Sequence, residues 1–273
     1  MTSQPPAARE SHQHREMAES FGTDAERYDR ARPRYPAGLI ERLAAEFPGG
    51  SVLDVGTGTG IVARQLAAAG ATVLGVEPDA RMADLARRLG VDVEVGTIEE
   101  WDPAGRTFDT VVGGQVWHWV EPVAGARKAA DVLRPGGRLA VFWNAGDPEP
   151  EVARGFADVY RGLADVLPPE VAASLPATMT KPAADLYAPG VTRAAEGMAA
   201  AGAFAEPEEW RFAWEFTYTR DAWLDQVPTQ GLFTRLPPDR LDPLLAEIGA
   251  VIDANGGGFT MRFTTLVSTA VRR

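Results

Sequence analysis

The chain has 273 residues, of which 45% are hydrophobic, so it is long enough to bury one large α/β core with an appended segment. Its formal net charge of −11 argues against nucleic acid or an anionic membrane as the main partner, because both require a basic surface. Small molecules are therefore the expected substrates. The absence of cysteine excludes disulfides and cysteine metal ligands. The absence of an apolar run of about 18 residues predicts a soluble, cytoplasmic protein.

The N-terminus is predicted to be a polar tail followed by a helix. Residues 1 to about 17 have no apolar periodicity, and the tail's His12 and His14 have no third ligand at metal-binding spacing, so no metal site is predicted. A helical pattern runs from 17 to 32 and ends at Pro33. A second helix is predicted over 39–47.

The first predicted strand leads into a glycine-rich turn. An apolar run over residues 52–55 predicts a buried parallel strand that ends in alternate glycines, Gly56, Gly58 and Gly60. A helix is predicted over 61–69, so the turn presents free backbone N–H groups at a helix start. Asp54 lies in the strand, two residues before the first glycine, where it suits a cationic group.

The second predicted strand, over 72–76, is followed by an acidic residue. Glu77 lies 21 positions after Gly56, at the tip of a neighbouring parallel strand, where a carboxylate can accept hydrogen bonds from both ribose hydroxyls. Dinucleotide enzymes share this arrangement, but they favour G-x-G-x-x-G, and Ile61 occupies the third-glycine position here. Asp54 would also face a phosphate unfavourably. The glycine spacing therefore favours another nucleotide ligand.

The next elements place a histidine near the predicted ligand. A helix over 78–89 begins with Pro78 and carries Met82 one turn in, and strands are predicted over 91–95 and 108–113. In a doubly wound sheet the loop after the fourth strand faces the ligand, because the strand order reverses beside it. Three roles are open for His118 in this loop. It is a general base, a hydrogen-bond donor that orients the substrate, or a residue that fixes the loop by bonding a backbone carbonyl.

The second half of the chain is predicted to add a cap and complete the sheet. A helix over 123–133 precedes a fifth strand over 139–143, and a helix is predicted over 152–166. Residues 167–203 are dense in proline, glycine and alanine, with short helical pieces such as 192–201, which indicates an inserted cap.

The C-terminal segment alternates between strand and helix patterns. Aromatic residues at period two from Trp210 to Tyr218 predict a strand with one strongly buried face. Helices are predicted over 221–236 and 239–254. The last predicted strand, over 259–271, can pair antiparallel with the aromatic strand.

The motif Asp54-x-Gly56-x-Gly58-x-Gly60 resembles the nucleotide-binding motif of class I S-adenosylmethionine-dependent methyltransferases. The segment around Tyr28, Arg32-Pro33 and Tyr35-Pro36 is similar to the N-terminal lid of small-molecule methyltransferases related to trans-aconitate methyltransferase, and the pair His118-Trp119 is similar to a pair in that subgroup. The resemblance implies a Rossmann-like, doubly wound sheet of about seven strands. The sheet would be mostly parallel with an antiparallel C-terminal strand, and would carry an N-terminal lid and an inserted cap.

The resemblance also implies roles for individual residues. Tyr28 and Arg32 would contact the cofactor's carboxylate or the acceptor, although Tyr28 is equally consistent with packing. Met82 would lie near the adenine, as a wall of its site or as core filler. Ile98 would offer its backbone N–H to the adenine. Thr97 stands where many relatives carry an aspartate, so either Glu99 substitutes for it or the contact is weaker. Family members often place the acceptor pocket under an insertion of this kind, which makes Met179, Tyr187 and Met198 candidate lining residues. The expected cofactor-binding residues are Tyr28, Arg32, Asp54, Gly56, Thr57, Gly58, Gly60, Glu77, Pro78, Met82, Thr97, Ile98, Glu99 and Gln115.

The resulting hypothesis is methyl transfer from S-adenosyl-L-methionine to a small-molecule oxygen, nitrogen or carbon, with S-adenosyl-L-homocysteine as product and His118 as the catalytic candidate. The expected organisation is a tail and lid over 1–36, a core over 37–148 and 204–273, and an acceptor cap over 149–203. The protein would be a monomer or homodimer. The alternatives are an NAD(P)-dependent oxidoreductase on the same fold and a non-catalytic cofactor-binding module.

Overall fold

The computed structural model describes residues 21–162, 181–231, 233–234 and 236–273, and its centre is a single seven-stranded sheet. The strands are β1 (Ser51–Val55), β2 (Thr72–Glu77), β3 (Asp92–Val95), β4 (Phe108–Gly114), β5 (Leu133–Pro148), β6 (Glu208–Thr219) and β7 (Gly258–Val271). Their order is β3-β2-β1-β4-β5-β7-β6, in which β1 to β5 pair in parallel and β7 pairs antiparallel with both β5 and β6. The predicted Rossmann-like sheet and its antiparallel final strand are confirmed.

Helices follow most of the strands and surround the sheet. They are α1 (Ala25–Ala31), α2 (Ala37–Glu46), α3 (Ile61–Ala68), α4 (Ala80–Arg88), α5 (Pro122–Val132), α6 (Pro150–Arg161), α7 (Ala183–Ala201), α8 (Arg220–Gln226) and α9 (Pro238–Ala254). Short 3₁₀ turns cover Phe21–Asp24, Trp117–Trp119 and Val227–Thr229. Helix α1 is capped by Asp24, whose carboxylate accepts a hydrogen bond of 2.9 Å from the Arg27 N–H.

Apolar side chains cover both faces of the sheet because successive residues of a strand point to opposite sides. Leu53 of β1 lies in a core cluster with residues of α5 and α7, whereas its neighbour Val52 lies in a cluster with residues of α2 and α3. A further cluster joins α6 and α9 to the antiparallel pair of β6 and β7. The continuous apolar runs of the central strands are therefore explained by burial on both sides.

The helical part of the predicted cap is longer and more continuous in the structure than expected. Instead of short helical pieces, α7 is one helix of 19 residues that continues through Pro189. Its residues Val191, Ala194 and Met198 are buried in a core cluster with β4 and β5. The alanine-rich sequence favours a helix, and this burial outweighs the roughly 3 kcal/mol that an internal proline costs. Residues 163–180, including Met179, and the tail with His12 and His14 lie outside the described residues.

Two predictions for the C-terminal segment were also wrong. The aromatic strand does not bury one whole face, since Trp210 and Tyr218 are buried while Phe216 is 46% exposed. The reason is that β6 is an edge strand. The helix predicted over 221–236 is replaced by the short α8, followed at Pro228 by a 3₁₀ turn, because proline lacks the N–H that an α-helix needs. Within the described ranges, no helix is long and apolar enough to cross a membrane.

Candidate functional site

A cavity of about 510 Å³ opens beyond the C-terminal ends of β1, β2 and β4, on either side of the point where the strand order reverses. A smaller pocket of about 50 Å³ shares several of its walls and reaches Asp54 and Thr57. Of the residues predicted from the sequence, the large cavity is lined by Tyr28, Arg32, Gly56, Gly58, Glu77, Pro78, Met82, Gln115 and His118. Most of the predicted site is therefore brought together in one place.

The glycine turn adopts backbone conformations that suit glycine. Gly56 and Gly58 have φ angles of 61° and 57°, in the left-handed region that other residues rarely occupy. A Cβ at Gly56 would lie 2.1 Å from Cγ2 of Val116, so the turn also needs glycine for space. The Gly56 N–H donates to the Val76 carbonyl at 2.8 Å, which ties the turn to β2.

Glu77 at the end of β2 is part of the same unit as the glycine turn. Its Oε2 accepts a hydrogen bond of 2.8 Å from the Gly58 N–H, and its Oε1 accepts one of 3.0 Å from the Asp79 N–H. The side chain is buried, and this burial raises the pKa of Glu77 to about 7. Each carboxylate oxygen has a further lone pair with which to accept a ligand hydroxyl.

Asp54 lies deeper, beneath the turn and beside the small pocket. Its Oδ2 accepts a hydrogen bond of 2.6 Å from the Thr57 hydroxyl. The carboxyl is 1% exposed, and burial raises the pKa of Asp54 to about 7. A cationic ligand group in the small pocket would favour the ionised carboxylate.

The raised pKa of Asp54 predicts a pH-dependent penalty on the stability of the ligand-free protein. Above its unfolded pKa of 3.8 the unfolded state releases the proton and the folded state keeps it until about pH 7, so stability due to this group is lost as pH rises through that window. The free energy of unfolding of the wild type minus that of Asp54→Asn should therefore fall by about 1 kcal/mol per pH unit between pH 4 and 7. Urea unfolding of both proteins at several pH values measures this difference, and a constant difference would contradict the prediction.

Gln115, directly after β4, has a strained backbone. Its φ of 55° is unusual for a residue other than glycine, and conformations of this type cost on the order of 1–3 kcal/mol. The Gln115 N–H donates to the Phe142 carbonyl at 2.8 Å, and its side-chain Nε2 donates to the Asn144 carbonyl at 3.3 Å. Strand β5 thus holds the start of the loop that carries His118 in a fixed position.

His118 lies in the 3₁₀ turn of this loop and lines the cavity. Its Nδ1 accepts a hydrogen bond of 3.2 Å from the Trp143 indole N–H, so its partner is an indole rather than the backbone carbonyl considered from the sequence. Burial lowers the pKa of His118 to about 4. The imidazole is therefore neutral at physiological pH.

The N-terminal segment lies across the mouth of the site. Arg27 and Arg30 of α1 both bond Asp225 of α8, at 3.1 and 2.6 Å. On the other side, Asp29 accepts hydrogen bonds from the Thr59 hydroxyl at 2.7 Å and from Arg64. The segment is thus tied to both the C-terminal helices and the glycine turn.

Arg32, just after α1, is the arginine of the predicted lid that lines the cavity. It donates through Nη2 to the Thr229 carbonyl, and its guanidinium lies 4.8 Å from the centre of the Tyr28 ring. Its Nε is buried and has no hydrogen-bond partner. Arg32 and Tyr28 line both the large cavity and the small pocket.

Four predicted cofactor-binding residues do not line either pocket. Gly60 instead allows close packing, since a Cβ there would lie 2.8 Å from Val91. Ile98 is 2% exposed in the core, and Glu99 accepts a hydrogen bond of 3.2 Å from the Glu121 N–H. The Thr97 hydroxyl is buried without a partner. Of the two acceptor candidates with described side chains, Tyr187 lines the cavity and Met198 does not.

Several lining residues were not predicted from the sequence. They come mainly from β5 and from the C-terminal segment: Asn144, Trp223, Gln226, Gln230, Met261 and Phe263. No local motif marks them, because β7 and α8 reach the cavity only through the folded sheet. No group of three or more side chains in the described residues is arranged to hold a metal ion.

Comparisons with known proteins agree with this geometry. A family model for a methyltransferase domain matches residues 28–159. An uncharacterized methyltransferase of Mycobacterium tuberculosis is 40% identical over 49% of this chain and 55% of its own length, so the chain spans little more than half of that relative. An uncharacterized methyltransferase of Anoxybacillus flavithermus is 32% identical over 50% of this chain and 69% of its own length.

A solved structure of a provisionally assigned type II methyltransferase from Anaeromyxobacter dehalogenans has the same fold. It superposes with a TM-score of 0.62 and 24% identity, covering 89% of this chain and 97% of the other. At this identity the similarity shows the fold alone.

Proposed function

The chain belongs to the methyltransferase family, and we propose that it transfers a methyl group from S-adenosylmethionine to a small molecule. The observation that carries this proposal is the placement of the glycine turn, Glu77 and His118 around one cavity at the reversal of strand order. Its volume of about 510 Å³ is in the range of small-molecule sites.

The residues present fit the cofactor. Gly56 and Gly58 leave room for close backbone approach, and Glu77 keeps free lone pairs for two ribose hydroxyls. The buried, unpartnered Nε of Arg32 suits the ligand's carboxylate, while Asp54 suits its ammonium group. Met82 and Pro78 line the part of the cavity beside Glu77, where we place the adenine. When bound, the cofactor supplies a methyl group activated by a sulfonium.

The acceptor is proposed to lie against aromatic walls of the cavity. The aromatic residues that line the cavity together with His118 include Trp119, Tyr187, Trp223 and Phe263. Such walls suit a molecule with an apolar or aromatic body, and the lid residues 21–36 would close over it. Because the methyl group is already activated, alignment of the acceptor can supply roughly 7–11 kcal/mol of the rate enhancement. The chain's own task is therefore to orient the acceptor and exclude water.

A thermal-shift comparison tests the cofactor assignment. S-Adenosylhomocysteine at 100 times its dissociation constant should stabilise the protein by about 2.7 kcal/mol, whereas NADH at the same concentration should not. Stabilisation by NADH alone would instead identify an oxidoreductase. Transfer of a labelled methyl group in a mass-spectrometric screen of small acids, phenols and indoles then tests catalysis. Binding without transfer to any acceptor would favour a non-catalytic module.

A further inference from the structure

One ring nitrogen of His118 is held by a buried tryptophan. Trp143 belongs to β5 and is 2% exposed, and its indole N–H donates to Nδ1 of His118 at 3.2 Å. The indole nitrogen can only donate a hydrogen bond, so Nδ1 must be unprotonated to accept it. A neutral imidazole with Nδ1 unprotonated carries its proton on Nε2.

The other ring nitrogen is the group that remains for a ligand. Nε2 has no hydrogen-bond partner among the described residues. It is also not one of the fully buried polar atoms that lack a partner, so this nitrogen is accessible. Because His118 lines the cavity, the Nε2–H is the polar group that this ring offers to a bound acceptor. A nitrogen that already carries a proton donates a hydrogen bond and cannot remove a proton from the acceptor.

We propose that Trp143 is a positioning residue that fixes His118 as an Nε2–H donor, so that His118 orients the methyl acceptor instead of acting as a general base. This inference rests on the proposed function for the role of the donor, but the tautomer itself does not depend on it. It also restricts the acceptor: the atom facing His118 must accept a hydrogen bond, and the methylated atom must be nucleophilic without losing a proton to this ring.

The burial of His118 supports the same arrangement. Burial lowers the pKa of His118 to about 4, so the ring stays neutral at physiological pH. A hydrogen bond accepted at Nδ1 further favours the neutral form, because a protonated ring would place an N–H against the indole N–H. Trp143 and the buried environment therefore act in the same direction.

The chain offers a matched control for this role. Trp117 is also 2% exposed and lies beside His118 in sequence, but its indole N–H has no hydrogen-bond partner. Trp143→Phe and Trp117→Phe therefore remove the same atoms from two buried sites, and only the first removes the hydrogen bond to His118. A purely structural effect of losing an indole should appear in both variants.

Nitrogen-15 NMR of the full-length protein, with and without S-adenosylhomocysteine, tests the tautomer directly. His118→Gln identifies the signals of His118 among those of the three histidines. We expect an unprotonated Nδ1 and a protonated Nε2 from pH 5.5 to 8 in the wild type and in Trp117→Phe. In Trp143→Phe, we expect the Nδ1 signal to move and the pKa of His118 to rise. A proton on Nδ1 in the wild type, or unchanged ring signals in Trp143→Phe, would overturn the proposal.

Kinetics with an acceptor from the screen test the consequence for the reaction. Trp143→Phe should raise KM for the acceptor several-fold with little change in affinity for S-adenosylhomocysteine, whereas Trp117→Phe should leave both near the wild-type values. Equal changes in the two variants would contradict a positioning role. If no acceptor is methylated, the proposed function fails, and the NMR result still decides the tautomer.

Discussion

Replacing Glu77 with alanine is expected to weaken the binding of S-adenosylhomocysteine by ten- to a hundredfold. The proposed hydrogen bonds from the ribose hydroxyls to an ionised carboxylate contribute roughly 1.5–3 kcal/mol, and 1.4 kcal/mol corresponds to a factor of ten. Isothermal titration calorimetry at pH 8 measures the loss, since the pKa of Glu77 is about 7 and the wild-type side chain is mostly ionised there.

Two further variants separate this effect from damage to the fold. Glu77 also accepts hydrogen bonds from Gly58 and Asp79, so Glu77→Gln is the second variant, with similar shape and no charge. Glu94→Ala makes the same change on the neighbouring strand β3, where the carboxylate pairs with Arg106 at 2.7 Å and does not line the cavity. We expect Glu94→Ala to bind like the wild type. Unchanged affinity in a folded Glu77→Ala protein would contradict the proposed position of the ribose.

Replacing His118 with alanine is expected to lower kcat/KM for the acceptor by roughly 10²-fold, while the affinity for S-adenosylhomocysteine stays within about twofold. The reason is the loss of a donor that orients the acceptor, because a displacement of about 1 Å from the reactive geometry can cost on the order of 10²-fold in rate. His118→Gln places an amide N–H about as far from the backbone as Nε2 and should recover most of the activity. Steady-state kinetics of both variants at saturating cofactor measure the difference.

The same variants distinguish the donor from a general base. If His118 were a base, His118→Gln would be as inactive as His118→Ala, because an amide cannot take a proton at neutral pH. With the pKa of His118 lowered to about 4, the ring stays unprotonated at its free nitrogen between pH 8 and 5.5 in either role, so we expect no loss of rate from His118 protonation in this range. The comparison of His118→Gln with His118→Ala is therefore the measurement that separates the two roles.

The sequence by itself predicted the sheet and many of the residues that line the proposed cofactor side of the cavity. Its signals are local: a strand that ends in Gly56, a helix that follows at once, and Glu77 at the tip of the next strand. Parallel strands bring their C-terminal ends to one edge, so residues at those ends meet without further information. The same reasoning correctly placed His118 beside the cavity.

Local pattern failed where competing contacts decided the outcome. The segment around Pro189 forms one long helix because its apolar face is buried against the sheet. Phe216 is partly exposed because β6 lies at the edge. Period and propensity describe which face of an element is apolar, but not how much neighbouring structure covers it.

The tertiary structure alone decided which residues surround the proposed acceptor and which group bonds the histidine. Trp223 reaches the cavity, and Asp225 holds Arg27 and Arg30, through contacts between segments nearly 200 residues apart, which no short motif encodes. The tautomer of His118 depends on the Trp143 indole, which the pairing of β4 with β5 brings beside it. The proton on an imidazole is placed by the donor or acceptor opposite its other nitrogen, and that partner exists only once the chain has folded.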